Sequence, residues 1–387
     1  MTPGARIAAA IAVLDEVLSG APAEKVLTTW ARRNRYAGSG DRAAIRDHVY
    51  DALRCRRSFA WLGGADTGRG LMLGAQRAAG TDPSTLFTGE GYAPAPVGTE
   101  ETGQDLSDAP DAVRLDMPNW LMGPLSDSLG ERTEPALAVL RTRAPVFLRA
   151  NIARTDREDV RAMLAADGIE TVPHPLADTA LEVTSNPRRV AQSRAYLDGL
   201  VELQDASSQA ACAAVPLEPG ARVLDYCAGG GGKALALAAR GARVTAHDSD
   251  PRRMRDLPVR AERAGAPIVT EATIADADRF DVVLCDVPCT GSGTWRRTPE
   301  AKWLLTPERL DDLCRTQAEI LATAARHVKP GGTLVYMTCS LLTAENSSQI
   351  DEFLAASKGW TLTLSRCFSP EDGGDGFFVA VMDAPTT

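Results

Sequence analysis

The hydrophobic positions at the start of the chain recur at helical intervals. Apolar residues fall three or four apart between Ile7 and Leu18, which is typical of one face of an amphipathic helix. Two further helical patterns follow before Leu62. We therefore predict a small all-helical unit over residues 1–62.

The helical pattern is lost after residue 62. Residues 63–117 are rich in Gly, Pro, Thr and Asp and show little periodicity, which predicts a linker. From Pro118 onward, helical patterns are mixed with short strand patterns such as residues 146–151. We predict a small α+β subdomain over residues 118–200.

Residues 201–387 alternate between short apolar runs and helical patterns. The apolar runs read as strands and lie at residues 222–225, 243–248, 280–286, 332–337 and 376–381. Alternation at this spacing is typical of a parallel, doubly wound sheet. The expected fold class is therefore α/β, with a doubly wound and mostly parallel sheet.

Composition narrows the class of protein. The chain is 44% hydrophobic and 24% charged, and no apolar run approaches the ~20 residues of a membrane helix. Acidic residues and helical periodicity near the N-terminus argue against a signal peptide. The eight cysteines are scattered along the chain, so we expect reduced thiols in a cytoplasmic protein rather than a disulfide framework.

Charge is unevenly distributed. The net charge of −9 argues against a protein that coats nucleic acid indiscriminately. Residues 31–60, however, hold eight Arg against three Asp, which is a local charge of +5. Such a cluster can contact RNA phosphates, or it can be a solvated helix face that is balanced by acidic neighbours.

A glycine-rich loop follows the first strand of the doubly wound region. It runs from Asp225 to Lys233 and contains four consecutive glycines, which let the backbone approach a ligand at a helix N-terminus. It lacks both the full dinucleotide pattern and the Lys-Ser/Thr pair of a P-loop. Asp248 ends the next strand, where an acid can accept hydrogen bonds from ribose hydroxyls. Together these features favour an S-adenosylmethionine site.

Two cysteines follow later strands of the same region. Cys289 stands in the motif Asp286-Val-Pro-Cys, and Cys339 stands in the motif Thr-Cys-Ser, 50 positions further on. Open α/β sheets bind ligands at the carboxyl ends of their strands. Two cysteines beside a nucleoside cofactor suggest covalent chemistry on a poorly reactive carbon.

These motifs together resemble the RNA cytosine-5 methyltransferases of the Nop/Sun type, and above all their bacterial RsmB-like branch. The resemblance spans residues 118–382 and keeps five motifs in the family's order. The matching stretches are 201–209, 227–233, 286–289 with Arg296, Arg297, Lys302 and Trp303, 336–340, and Glu345 with Asn346. The resemblance implies a Rossmann-like class I methyltransferase domain over residues 201–387, with S-adenosylmethionine as cofactor.

The resemblance also implies roles for single residues. Cys339 is expected to add to C6 of cytosine, which makes C5 nucleophilic enough to take the methyl group. Cys289 is expected to assist release of the methylated base, and Asp286 to hydrogen-bond the cytosine edge near N3. A thiol has a pKa of about 8.5, so Cys339 would need a cation nearby, and Arg296 and Lys302 are the candidates. The residues expected to hold the cofactor are Cys227, Ala228, Gly229, Gly230, Gly231, Gly232, Lys233, Asp248 and Asp286.

The expected partner is RNA, with ribosomal RNA ahead of transfer RNA, and we expect a monomer without a metal or a membrane contact. Residues 39–62 resemble part of the NusB-like RNA-binding domain that RsmB-like enzymes carry. Sixty-two residues are too few for a full copy, so a truncated unit is expected. The subdomain over residues 118–200 is expected to bind RNA as well.

Two positions depart from the family's pattern. Gly230 stands where the family usually has Pro, which leaves the loop more flexible. The Gly-Asp expected after the third strand is missing, so the contact to the adenine amino group is left to Asp276 or to a main-chain carbonyl.

Other functions remain open on the sequence. A non-catalytic RNA-binding or ribosome-assembly protein could keep this fold, although the presence of both cysteines and Lys233 speaks against decay. A DNA cytosine-5 methyltransferase would use the Pro-Cys cysteine as nucleophile and would need no Thr-Cys-Ser. Methylation of nitrogen is disfavoured because residues 286–289 are not Asn/Asp-Pro-Pro-Tyr/Phe.

Overall fold

The computed structural model describes residues 1–386, which form two compact units. In chain order, the helices are α1 (Pro3–Leu18), α2 (Ala23–Arg33), α3 (Ser39–Arg54), α4 (Arg56–Gly63), α5 (Gly68–Ala78), α6 (Asp111–Arg114), α7 (Asn119–Leu129), α8 (Thr133–Leu140), α9 (Arg157–Ala166), α10 (Arg194–Leu197), α11 (Ala206–Ala213), α12 (Gly232–Ala238), α13 (Leu257–Ala264), α14 (Glu300–Leu304), α15 (Pro307–Ala325) and α16 (Ser347–Ala356). The strands are β1 (Val146–Ala150), β2 (Thr171–Pro173), β3 (Ala180–Val183), β4 (Val201–Leu203), β5 (Arg222–Asp225), β6 (Arg243–His247), β7 (Ile268–Glu271), β8 (Phe280–Asp286), β9 (Val328–Thr338), β10 (Thr361–Phe368) and β11 (Phe377–Asp383).

The first unit is helical and contains residues 1–126, 130–143 and 295–304. Helices α1, α2, α3 and α5 pack their apolar faces into one core, where Ile7, Leu14 and Ile45 are fully buried. Helices α1 to α3 lie where the apolar periodicity predicts helices.

Residues 63–117 are not a linker throughout, and this prediction is wrong at α5. Leu71, Met72 and Leu73 of this helix are fully buried in the same core as α1. The glycines that suggested a linker are helix-packing positions instead, because a Cβ atom on Gly74 would lie 1.9 Å from the carbonyl oxygen of Phe59 on α4. The helical unit therefore extends well beyond residue 62.

Residues 295–304 also belong to this helical unit, although they follow the Pro-Cys motif in the chain. Lys302 of α14 is fully buried, and its Nζ donates to the carbonyl of Arg54 at 2.8 Å. Burial lowers the pKa of the Lys302 ammonium to about 8. The next residue, Trp303, donates from Nε1 to the carbonyl of Leu53 at 2.8 Å. The segment is thus fixed to the end of α3.

Three arginines of the basic cluster have structural partners within this unit. Arg54 is buried and donates to Asp51 and to the carbonyl of Arg296. Arg56 forms a two-bond ion pair with Asp66, and Arg57 donates to the carbonyl of Met117 and to Asn119. These three side chains hold the helices together. Arg46 forms an ion pair with Glu24, so within residues 1–386 only Arg32, Arg33, Arg35 and Arg42 remain as an unpaired charged surface.

The second unit begins with a small four-stranded sheet in the order β2-β3-β1-β4, with neighbouring strands antiparallel. Strand β4 pairs with β1 in the register Leu148↔Leu203. The boundary that we expected between residues 200 and 201 is therefore wrong, because it separates β4 from its own sheet.

The main sheet has seven strands in the order β10-β11-β9-β8-β5-β6-β7. The five strands from β9 to β7 in this order are parallel, and β11 and β10 are added antiparallel at one edge. The predicted α/β class with a mostly parallel sheet is confirmed. The chain moves outward from β5 in both directions, so the carboxyl ends of β5 and β8 flank the point where an open sheet binds ligands.

The cores of the second unit lie on the two faces of this sheet. Val223, Leu237 and Val244 pack on one face, and Leu224, Val283 and Tyr336 on the other. Consecutive residues of β5 thus enter opposite cores, because successive side chains of a strand point to opposite faces of the sheet. Across residues 1–386, no helix combines the length and the apolar character needed to cross a membrane.

Candidate active site at the carboxyl ends of the parallel strands

The glycine loop after β5 is held by hydrogen bonds to both neighbouring strands. The N–H of Tyr226 donates to the carbonyl of Leu284 on β8, and the N–H of Ala228 donates to the carbonyl of His247 on β6, each at 2.8 Å. The loop then turns into α12. These backbone bonds fix the start of the loop above the sheet.

Two of the four glycines are required by the shape of this loop. Gly229 and Gly231 have φ angles of +50° and +79°, in the left-handed region that favours glycine. A Cβ atom on Gly231 would also lie 2.2 Å from a methyl carbon of Leu257. Gly230 has no such angle, and a Cβ there would meet only the end of the Arg260 side chain at 3.2 Å. The missing Pro at position 230 is thus compatible with the loop.

Asp248 lies beside the glycine loop, immediately after β6. It is 1% exposed, and its Oδ2 accepts a hydrogen bond of 2.9 Å from the N–H of Gly229. The same oxygen forms an ion pair of 3.2 Å with Arg253, which the sequence did not indicate. Asp248, the residue expected to bind the ribose, is therefore hydrogen-bonded to the glycine loop.

Three charged side chains meet at the carboxyl ends of β5 and β8. Lys233 donates from Nζ to Oδ2 of Asp286. Asp225 is fully buried, and burial raises the pKa of its carboxyl to about 7, against the opposing effect of the Lys233 ammonium. Neither carboxyl oxygen of Asp225 has a hydrogen-bond partner of good geometry. Asp286 is expected at the cytosine edge, and here it is partly exposed and bound to Lys233.

The two motif cysteines meet in space. Cys289 follows β8 and Cys339 follows β9, and these two strands are parallel neighbours. Their Sγ atoms lie 3.4 Å apart, and both side chains are partly exposed. The hydrogen bond to Cys339 and then burial raise the pKa of the Cys289 thiol well above its ordinary value.

Other predicted residues lie in different surroundings. Cys227 is partly buried in the loop, and burial raises the pKa of its thiol, so its sulfur is not a reactive thiolate. Asp276 is exposed in the segment after β7. Lys302 and Arg296 lie in the helical unit. The Nζ of Lys302 donates to the carbonyl of Arg54, and the carbonyl of Arg296 accepts from the Arg54 side chain. The residues described contain no cluster of three or more His, Cys, Asp or Glu that could hold a metal ion.

Two buried polar residues for which the sequence predicted no role stand behind the cysteine loops. Glu345 and Gln317 are both fully buried, and they hydrogen-bond to each other at 3.0 Å. A signal for Gln317 does exist in the sequence, since it interrupts the apolar face of α15 between Leu313 and Leu321. A buried amide in such a stripe must find polar partners.

The main sheet with its glycine loop defines a Rossmann-like methyltransferase fold. A family model described as 16S rRNA methyltransferase RsmB/F matches residues 213–383, and one described as an RsmF/B-like, ferredoxin-like domain matches residues 117–190. The chain belongs to this RsmB/F family, which confirms the resemblance seen in the sequence.

Individual relatives agree with this assignment. The ribosomal RNA small subunit methyltransferase B of Vibrio cholerae is 33% identical over 70% of this chain and 66% of its own length. That of Xylella fastidiosa (strain 9a5c) is 36% identical over 68% and 67%. The chain thus matches about two thirds of each relative.

Solved structures support the fold. A methyltransferase homolog protein from Pyrococcus horikoshii superimposes with a TM-score of 0.62 at 25% identity, over 70% of this chain and 97% of its own. A further crystal structure covers 99% of both chains with a TM-score of 0.77 at 23% identity, which shows that the likeness in fold extends over the helical unit as well.

Proposed function

We propose that the protein transfers a methyl group from S-adenosylmethionine to C5 of a cytosine in small-subunit ribosomal RNA. The observation that carries this proposal is the 3.4 Å separation of the Cys289 and Cys339 sulfurs at the ends of adjacent parallel strands. One cysteine can add to a pyrimidine ring while a second stands close enough to act on the same adduct. The relatives named as ribosomal RNA small subunit methyltransferase B support the choice of RNA.

The residues present fit S-adenosylmethionine. The loop from Cys227 to Lys233 turns at Gly229 and Gly231, whose positive φ angles bring its main chain to the N-terminus of α12. Asp248 lies at the second strand end, as a ribose-binding acid does. The unpartnered carboxyl of Asp225 and the Lys233–Asp286 pair add polar groups beside it. When bound, the cofactor supplies an electrophilic methyl group on its sulfonium.

In the proposed reaction Cys339 is the nucleophile. Its thiolate forms a bond to C6 of the cytosine, and the electron pair of the C5–C6 double bond moves so that C5 can attack the methyl carbon. Asp286 is placed to bind the ring near N3 and to favour its protonation as the sulfur adds. The Lys233 ammonium holds Asp286 in position through their ion pair.

Cys289 is assigned to the release of the product. After transfer, C5 gives its proton to a base such as water, the C5–H electron pair restores the C5–C6 double bond, and the S–C6 bond breaks so that its electron pair returns to Cys339 as the thiolate. Cys289 is within 3.4 Å of the sulfur that leaves. That distance allows Cys289 to act on the same adduct without being the nucleophile.

The test is a denaturing gel with labelled, unmodified small-subunit ribosomal RNA and S-adenosylmethionine. Cys339→Ala should abolish both methyl transfer and any covalent protein–RNA band, whereas Cys289→Ala should accumulate that band because the adduct forms but is not resolved. A band with Cys339→Ala and none with Cys289→Ala would reverse the two roles. Transfer RNA in a parallel lane tests the alternative substrate, and no methylation of either RNA by the wild type would favour a non-catalytic protein.

A further inference from the structure

Glu345 lies in the turn after β9 and is fully buried. Its carboxylate accepts four hydrogen bonds. Oε1 receives the N–H of Thr290 at 2.8 Å and Nε2 of Gln317 at 3.0 Å. Oε2 receives Oγ1 of Thr290 at 2.5 Å and the hydroxyl of Ser340. A buried carboxylate with this many donors is well satisfied and strongly held.

These donors come from both cysteine loops. Thr290 is the residue after Cys289, and Ser340 is the residue after Cys339. Both loops are therefore hydrogen-bonded to one carboxylate. Gln317 of α15 links Glu345 to the Pro-Cys loop a second time, because its Nε2 also donates to the carbonyl of Pro288 at 2.9 Å.

We propose that Glu345 is a positioning residue that holds the Pro-Cys loop against the Thr-Cys-Ser loop, with Gln317 as its support. It touches neither sulfur and acts through the main chain on either side of them. The role rests on the proposed function, because it concerns the step in which both cysteines act on one base.

The two steps of the reaction should respond differently when this contact is weakened. Addition to the base needs Cys339, whose loop is also held by Asn346 through its bond to the carbonyl of Ser340 at 3.0 Å. Release needs Cys289 within reach of the adduct, and that reach depends on the tie from Thr290 to Glu345. A merely structural carboxylate would slow both steps alike.

Glu345→Gln is the direct variant. Its NH₂ group replaces one of the two carboxylate oxygens, so two of the four hydrogen bonds lose their acceptor and the tie is weakened with almost no change in volume. Turnover should fall roughly 100-fold, the size expected when a reacting group is misplaced by about 1 Å. A covalent protein–RNA band should accumulate as it does for Cys289→Ala. Binding of S-adenosylmethionine by calorimetry should change less than about threefold, since the glycine loop keeps its own bonds.

The matched control is Asp116→Asn, which alters another fully buried carboxylate, one that accepts from Ser58 and Arg141 in the helical unit. It should lower the melting temperature without producing a covalent band. If Glu345→Gln does not fold, Gln317→Met and Thr290→Val remove one donor each and should produce weaker bands.

The possible results separate the two proposals. Normal turnover of Glu345→Gln, or equal loss of adduct formation and of release, would overturn the positioning role while Cys289→Ala still traps the RNA. Failure of Cys289→Ala to trap RNA would instead count against the proposed function.

Discussion

The carboxyl group of Asp225 shows how far a side chain can depart from its ordinary chemistry. It is 1% exposed, ends β5 and has no hydrogen-bond partner of good geometry. Burial raises its pKa from 3.8 to about 7. The folded state therefore binds this proton more tightly than the unfolded state does.

Stability should depend on pH through Asp225. The contribution of Asp225 to the free energy of unfolding is fully present below pH ~4, where the carboxyl is protonated in both the folded and the unfolded state. It is lost as pH rises towards 7, because only the unfolded state then ionises freely. Asp225→Asn should not suffer this loss, because an amide does not ionise. The free energy of unfolding of the variant minus that of the wild type should therefore be larger at pH 8 than at pH 5, by roughly 3 kcal/mol. Urea denaturation at both pH values measures it.

The control for this prediction is Asp276→Asn, which makes the same change at an exposed aspartate. The free energy of unfolding of this variant should differ from that of the wild type by nearly the same amount at both pH values. An Asp225→Asn variant whose difference is also independent of pH would show that Asp225 ionises normally in the fold.

At the scale of the element, the loop between β5 and α12 depends on single glycines. Gly231→Ala forces a side chain into the left-handed region and against Leu257, at a cost of about 1–3 kcal/mol. We expect S-adenosylmethionine to bind about 10- to 100-fold more weakly to this variant. Isothermal calorimetry measures the affinity.

Gly230→Ala is the matched change one residue earlier. Its φ lies outside the left-handed region, and only the far end of the Arg260 side chain lies near the new methyl group. Its affinity should stay within about threefold of the wild type. Equal losses at the two positions would mean that general flexibility, and not the left-handed turn, accounts for the glycines.

At the scale of the whole molecule, the protein is acidic and yet presents a basic surface on its helical unit. Four arginines of the cluster are exposed: Arg32, Arg33, Arg35 and Arg42. Within residues 1–386, their side chains form no ion pair and no hydrogen bond. Tyr36 in the same segment is 74% exposed. The other arginines of the cluster, such as Arg54 and Arg56, are bound within the unit. The charge available to RNA is therefore concentrated at the end of α2 and the start of α3.

Replacing Arg32, Arg33, Arg35 and Arg42 by Gln should reduce the salt dependence of RNA binding. The slope of log K against log salt should become shallower by about 0.7–0.9 for each phosphate that the protein no longer neutralises. Fluorescence anisotropy with labelled ribosomal RNA at several salt concentrations measures it. The matched control replaces Arg114, Arg194, Arg255 and Arg315, partly or fully exposed arginines that each already pair with an acid. If both sets change the slope equally, the segment is only a solvated face.

The sequence by itself determined five of the seven strands of the main sheet and the identity of the motif residues. Alternating apolar runs and helical patterns are local, so strands with a clear apolar run, such as β5, β6, β8 and β9, could be predicted, whereas β7 and β10 were not. The glycine loop and the two cysteines were found in the same way, because a turn needs particular residue types at particular positions. The resemblance to the RsmB/F family added the order of these motifs.

Only the tertiary structure decided how distant segments meet. The 3.4 Å contact of Cys289 with Cys339 and the ties of Glu345 to Thr290 join residues 50 and 55 positions apart. The glycines of α5 suggested a linker because composition alone does not show that they pack against the main chain of α4. Residues 295–304 were assigned by sequence to the methyltransferase region and lie in the helical unit instead. Such contacts depend on which surfaces face each other after folding, and no local pattern encodes that.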